Sequence, residues 1–213
     1  VNGGSKWYWE MYCGAGGVTP NFHHGISQGT SVENFEFAQN SNNSYNGGVA
    51  NTWGYWPNTS GTDTAYWRNG GSNVYTDLPR IASGQILQFA LDAAAGKIWV
   101  GINNSSTGAN ALSSNIDVHL RNPVFPHFMP YDNGGIYMNF GNNPTFNNSA
   151  SNGAFASDAN GKGQFFYAPP TDFLALCTDN LAAPIENPKK YVKVLNYRGS
   201  SSNDDEGARK DGW

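Results

Sequence analysis

The chain has 213 residues, of which 13% are charged and 14% aromatic, and a net charge of −4. That length suits one large β domain or two small ones, and so few basic residues argue against binding a phosphate backbone, which needs clustered Lys and Arg. No run approaches the roughly 18 apolar residues of a membrane span, and no basic-then-apolar leader opens the sequence.

Asn, Gly, Ser and Thr carry the polar balance, which predicts a strand- and turn-rich chain whose aromatics supply much of the core. Residues 1–5 read as a Gly-rich lead-in. A first residue of Val1 rather than Met suggests a processed product or a piece of something longer. Lys6 to Cys13 is a strand in which Trp7, Trp9 and Met11 alternate with Tyr8, Glu10 and Tyr12; apolar residues on both faces predict burial between layers. Gly14 to Pro20 breaks it. Asn34 to Ala38 alternates as a short strand. Asn40 to Thr64 reads as a long polar excursion carrying Tyr45, Trp53, Tyr55 and Trp56, followed by a short strand at Ala65-Tyr66-Trp67-Arg68 and a turn at Asn69-Gly70-Gly71.

Gly84 to Asn103 organises the middle of the chain. Apolar residues dominate Ile86–Leu91 and Ile98–Ile102, and a short connection with Asp92 and Gly96 separates them, the pattern of a β-hairpin. Ile98, Val100 and Ile102 fall on one face, Trp99 and Gly101 on the other. A helix over Gln85–Ala95 is the competing reading, since Leu, Gln and Ala favour helices. Further on, Ile116, Val118 and Leu120 offer a brief strand, and Phe125–Tyr131 an edge strand or packed loop punctuated by Pro. Asp132–Gly135 is a turn feeding a strand at Ile136–Phe140. Asn142–Gly163 is a long polar loop, and Phe165–Tyr167 is expected to end the sheet. Pro184–Pro188 marks a boundary, giving domains 1–186 and 187–213. Tyr191–Tyr197 alternates as a strand that either folds back or serves a following module or partner, and Gly199–Trp213 is a polar tail.

Sequence spacing offers little chemistry. A glycosidase needs two facing carboxylates, but Glu33 and Glu36 would point to opposite faces of a strand, and Glu10 stands alone as a satisfied sheet residue. Ser27, near His23 and His24, lacks a Gly-x-Ser-x-Gly elbow. The two histidines are adjacent and diverge in an extended chain, which disfavours a shared metal. Asp63 and Asp77 match no calcium loop, and Asp204-Asp205-Glu206 reads as a solvated tail. No catalytic group, metal or cofactor is therefore expected. Cys13 and Cys177 do not make a disulfide framework; they either pair once or remain two buried thiols. Binding is the better-supported class. Trp53, Tyr55, Trp56, Tyr66 and Trp67 sit among small polar residues, the composition of loop-built recognition surfaces, and each is either a ligand-contacting group or a core plug.

Four pieces of the sequence resemble SPRY (B30.2-like) domains, in the family's order. They are Tyr8-Trp9-Glu10, the hairpin Leu91-Asp92 to Gly96-Lys97-Ile98-Trp99-Val100-Gly101-Ile102-Asn103, Phe125-Pro126 with Ile136–Gly141, and Tyr167–Leu181. The last is similar to the ending of such modules in bacteriophage structural proteins. Spanning roughly residues 6–185, the resemblance implies an all-β, antiparallel two-sheet sandwich of jelly-roll type with long loops and little helix. It also implies that His24-Gly25-Ile26 begins a second strand, and that the chain is a non-enzymatic recognition or structural module of a virion (tail fibre, receptor-binding or capsid-associated), extracellular in location. The rival readings are a carbohydrate-active enzyme on a similar sandwich and a purely structural assembly protein. The module's partners would be a host-surface glycan or protein, or other virion proteins, with no nucleic acid and no membrane insertion. The loops at 40–68, 103–122 and 142–163 would face the partner, and Tyr191, Val192, Val194 and Tyr197 would make an assembly contact, compatible with a homo-oligomer.

Overall fold

The alternation of Trp7, Trp9, Met11 and Cys13 sends four side chains to one face of β1 (Lys6–Cys13), and this strand lies inside a sheet. In the computed structural model, described here for residues 6–14, 22–28, 52–57, 64–69, 72–104, 112, 115–118, 124–130, 135–151 and 155–181, eleven strands form two sheets. The others are β2 (Phe22–Gln28), β3 (Thr52–Trp56), β4 (Thr64–Asn69), β5 (Ser72–Pro79), β6 (Ile86–Asp92), β7 (Lys97–Ile102), β8 (Ile116–Asp117), β9 (Val124–Pro130), β10 (Ile136–Asn139) and β11 (Phe173–Ala175).

The first sheet runs β10-β1-β6-β7-β8, with β11 also on β1; the second runs β5-β4-β3-β2-β9. All pairings are antiparallel except β1 with β11. The hairpin expected at 84–103 forms as β6 and β7, paired from Leu87↔Ile102 to Asp92↔Lys97. Its turn is fixed by the Ala95 N–H donating to Asp92 Oδ1 at 2.9 Å and by Gly96 at φ 62°, a conformation costly for residues with a Cβ. The helix alternative over Gln85–Ala95 is excluded, because β1 gains a seven-residue ladder from β6.

Between the sheets lie Trp9, Met11, Leu87, Phe89, Leu91, Ile98, Val100 and Ile102 from one side. Phe22, Ile26, Trp53, Tyr55, Ala65 and Trp67 meet them from the other. Each such burial is worth roughly 1.5–3 kcal/mol. The outer face of β1 and β6 is also apolar, as the sequence implied, because a third layer covers it: Phe165, Phe173 and Ala175 pack on Tyr8 and Ala90, while Phe146 and Phe166 pack on Tyr12 and Ile86.

Two expectations are corrected. Residues 52–56 are not part of a loop excursion but the central strand β3; its Trp-x-Tyr alternation fills the core at Trp53 and Tyr55. The first sheet does not end at Phe165–Tyr167, where only an isolated Ala156↔Phe165 bridge forms; its last strand is β11, parallel to β1. Cys13 and Cys177 are free, the first buried and the second half-buried. Asn34–Ala38, and Tyr191, Val192, Val194 and Tyr197 with the whole of 182–213, lie outside the described residues.

The sheet edges are blunted in different ways. β9 carries Pro126 and Pro130, which lack N–H donors, β8 has two residues, and β10 and β11 have four and three. On β5, Ala65↔Leu78 is followed by Trp67↔Tyr75 and then Arg68↔Asn73, so β5 carries two extra residues against β4. Such bulges twist an edge away from further pairing.

Near the middle of the second sheet, β2 and β3 approach at the pair Gly25↔Gly54. A Cβ on Gly25 would lie 2.1 Å from the Trp53 carbonyl oxygen and 2.5 Å from Gly54 Cα, both backbone atoms that cannot step aside. Gly25→Ala is expected to cost about 3 kcal/mol, read as a lower urea midpoint at unchanged slope; an unaltered midpoint would show that the strands can separate freely.

Candidate functional site

β5 and β8 are edge strands, one in each sheet, β5 with two bulges and β8 of only two residues. Between these edges of the two sheets lies a cleft of about 290 Å³ lined by Trp53, Asn69, Val74, Tyr75, Asn115, Ile116 and Asp117. Val74, the residue skipped in the β4–β5 register, is 51% exposed at its mouth. Trp53 and Ile116 are buried at 3% and 4% and form its base. Asn115 is held left-handed at φ 46°, a conformation uncommon outside Gly and most often tolerated by Asn. Asp117 is neutralised by Lys97, whose Nζ lies 2.5 Å from Oδ1. The groups presented are two amides, a paired carboxylate and two aromatic side chains.

On the outer face of the second sheet, Ser27, His127 and His23 form a buried chain. Ser27 Oγ lies 2.9 Å from His127 Nδ1, and His127 Nε2 lies 2.8 Å from His23 Nδ1. The His23 ring rests over Gly54, where any Cβ would collide with it. His24 points the other way, into the core. Its Nε2 accepts from Trp9 Nε1 at 2.7 Å, so its proton sits on Nδ1 and is donated to the His127 carbonyl at 2.6 Å. Burial holds all three imidazoles neutral: His127 is pushed down to about 4 and His24 to about 3, in the latter case with help from the neighbouring His127. His23 falls well below its ordinary value through burial, then through His127, His24 and Arg68. Ser27 is 1% exposed, so this chain holds strands together and has no open face for a substrate.

Glu10 is fully buried. Its Oε1 accepts from Tyr8 Oη at 3.0 Å and the Tyr167 N–H at 2.8 Å; its Oε2 accepts from Asn139 Nδ2 at 3.1 Å and the Phe166 N–H at 2.9 Å. Burial raises its pKa, while these four donors draw it back part of the way. It is the satisfied sheet residue anticipated from sequence. Asp158 is held similarly. Burial alone would raise it, but the N–H groups of Ala175, Lys162 and Asn160 and the Asn180 amide outweigh that and hold it below the usual carboxylate range. Among the described residues no three His, Cys, Asp or Glu groups could hold a metal ion.

The five aromatics singled out in the sequence do not share one face. Tyr55 and Trp67 are fully buried in the core, and the Tyr55 hydroxyl donates to the Pro79 carbonyl at 2.7 Å and accepts from the Ile81 N–H at 2.8 Å. Trp53 forms the base of the cleft. Trp56 and Tyr66 are half-buried on the opposite face of their sheet, 5.6 Å apart, with the Arg68 guanidinium 4.7 Å over the indole. Sequence reasoning missed Asn69, Tyr75, Asn115 and Asp117, because β5 and β8 belong to different sheets and their meeting at the cleft leaves no mark in a single sequence. It also missed His127, which lies a hundred residues beyond Ser27.

Fold and cleft together define an all-β, two-sheet antiparallel sandwich with a polar, ring-lined opening between its edges. No family model and no curated protein matches the chain. Among solved structures it is similar to the PSpry domain of TRIM65, at 16% identity and a TM-score of 0.45 over 64% of this chain and 64% of that one. It is also similar to the SPRY domain of human HERC1, at 16% identity and a TM-score of 0.40 over 63% of this chain and 74% of that one. The chain thus spans just under two thirds of the TRIM65 domain's length. At these values the fold rests on the strand order and register of this chain itself.

Proposed function

We propose that the chain is a non-enzymatic recognition module of SPRY-like type, part of a phage virion and exposed outside the cell. Its partner is a host-surface glycan or a neighbouring virion protein. The observation that carries this reading is the cleft between β5 and β8, whose lining of amides, rings and a paired carboxylate can bind but offers no nucleophile with a free base. Among the described residues the two buried carboxylates are committed elsewhere: both oxygens of Glu10 and both of Asp158 are taken up by donors.

The SPRY-like part of the proposal is supported by where its four sequence pieces fall. Tyr8-Trp9-Glu10 lies between the hairpin and Asn139, with Trp9↔Phe89 and Glu10↔Asn139 in register. The fourth piece begins at Tyr167, which donates its N–H to Glu10. The virion setting rests on the likeness of Tyr167–Leu181 to phage protein endings. The labelled full chain, applied to a glycan array and to purified virion proteins, is expected to bind at least one saturably, with no new reducing ends released from any glycan. Release of reducing ends would overturn the non-enzymatic assignment, and absence of all binding would overturn the recognition role.

A further inference from the structure

We infer that the cleft between β5 and β8 is a saccharide subsite that takes a neutral sugar; this rests on the recognition role proposed above and names the ligand for it. Asn69 and Asn115 each offer a donor and an acceptor on one small group, which matches hydroxyls that are themselves both. A purely apolar ligand would leave those amides desolvated and unpaired, which is costly. An anionic ligand would find no cation among the described lining residues and would meet the Asp117 carboxylate, on a chain of net charge −4. An extended peptide would need a regular strand edge beside the cleft, and the two extra residues of β5 deny it one. Tyr75, half-buried, supplies ring surface for the apolar face of a sugar, Trp53 closes the base beneath it, and Val74 stands at the mouth. At about 290 Å³ the cleft lies at the small end of ligand pockets, which run from about 300 to 1,000 Å³, so it accommodates one or two rings rather than a long chain.

Asn115 carries the most informative test. Its left-handed backbone is one that Gly adopts freely, so Asn115→Gly removes the amide while favouring the same turn. The ¹⁵N-labelled full chain would be titrated with three sets of probes. These are neutral trisaccharides ending in glucose, galactose or N-acetylglucosamine, acidic ones ending in sialic or glucuronic acid, and an extended hexapeptide of alternating Lys and Val. At least one neutral probe is expected to shift the amide signals of Asn69, Tyr75 and Asn115–Asp117. Asn115→Gly and Asn69→Ala should each weaken that probe tenfold or more while leaving the remaining spectrum in place. The inference is overturned if only acidic probes or the peptide bind there, if neutral probes shift signals elsewhere, if none binds, or if both variants bind as the parent does. Failure of this kind, with array or virion-protein binding intact, would leave the recognition role standing and remove only the sugar from the cleft.

Discussion

Lowering the pH from 7.5 to 5 is expected to remove a third or more of the stability of the protein. Three of the four histidines, His23, His24 and His127, are buried and neutral. The sign follows from linkage: their folded pKa values lie below the unfolded value of about 6.5, so protons bind the unfolded chain first. The stability they permit is complete above that value. It falls as pH drops below it, and the loss ceases only near the folded values of about 4 for His127 and about 3 for His24. Each group contributes up to about 1.4 kcal/mol per pH unit in that window, so three together remove roughly 5 kcal/mol between pH 6.5 and 5, against a total of about 5–15 kcal/mol for a typical domain. Glu10 works in the opposite sense, because its raised folded pKa lets the folded state take up a proton first, which offsets a small part of the loss. Asp158, with its lowered value, adds to acid lability only at more acidic pH still.

The site of failure follows from the same geometry. Protonation of His24 at Nε2 sets an N–H against the N–H of Trp9, which breaks a bond between the sheets. β9, short of two backbone donors at Pro126 and Pro130, loses the imidazole contacts that fasten it to β2. Urea titrations at pH 7.5, 6.5, 5.5 and 5 measure the effect. His24→Gln keeps an acceptor for Trp9 and a donor for the His127 carbonyl but has no proton to gain, so its pH slope should be about one third shallower. A parent protein equally stable at pH 7.5 and 5 would refute the account.

The elements legible in the sequence are those whose pattern is local. Alternation in β1, the two runs and turn of the central hairpin, and Ile136–Asn139 all appear at their expected places, because period two and a tight turn are written within about ten residues. β3 was hidden for a different reason: Thr52–Trp56 sits amid Asn, Ser and Gly, so a five-residue central strand resembled part of a loop. Its Trp53 and Tyr55 face inward because β2 and β4 pair on either side, an arrangement fixed by partners 25 or more residues away or by the next strand. The cleft was hidden more deeply. It lies between β5 and β8, which belong to different sheets, and includes Asn115 in a left-handed backbone, and neither is visible until the register is known. The sequence did single out Glu10 as satisfied in the sheet, but not the residues that satisfy it, because two of the four donors are backbone groups of Phe166 and Tyr167.

Those donors make Glu10→Ala the most damaging single substitution expected. The carboxylate gathers Tyr8, Asn139, Phe166 and Tyr167, and through Tyr8 it is tied to Gln88, whose Nε2 donates to the Tyr8 hydroxyl at 2.8 Å and whose Oε1 accepts from the Asn104 N–H at 2.6 Å. One acid thus joins β1, β6, β10 and the segment that covers the outer face of the first sheet. Truncation leaves two backbone N–H groups, one amide proton and the Tyr8 hydroxyl proton without acceptors in a dry site, each worth about 1–3 kcal/mol. The total, allowing for water entering the gap, is about 4 kcal/mol, which for a chain of this length is a fall of roughly 10–15 °C in Tm. Glu10→Gln should fall between parent and Ala, since its single carbonyl can serve only one pair of donors and its NH2 faces the other pair. Hydrogen exchange separates this from general destabilisation. The amides of Phe166 and Tyr167 should lose protection in Glu10→Ala under conditions where the Phe89 and Val100 amides in the central hairpin remain protected. Uniform loss across all four, or none, would mean that the covering segment is held by its aromatic side chains and not by Glu10.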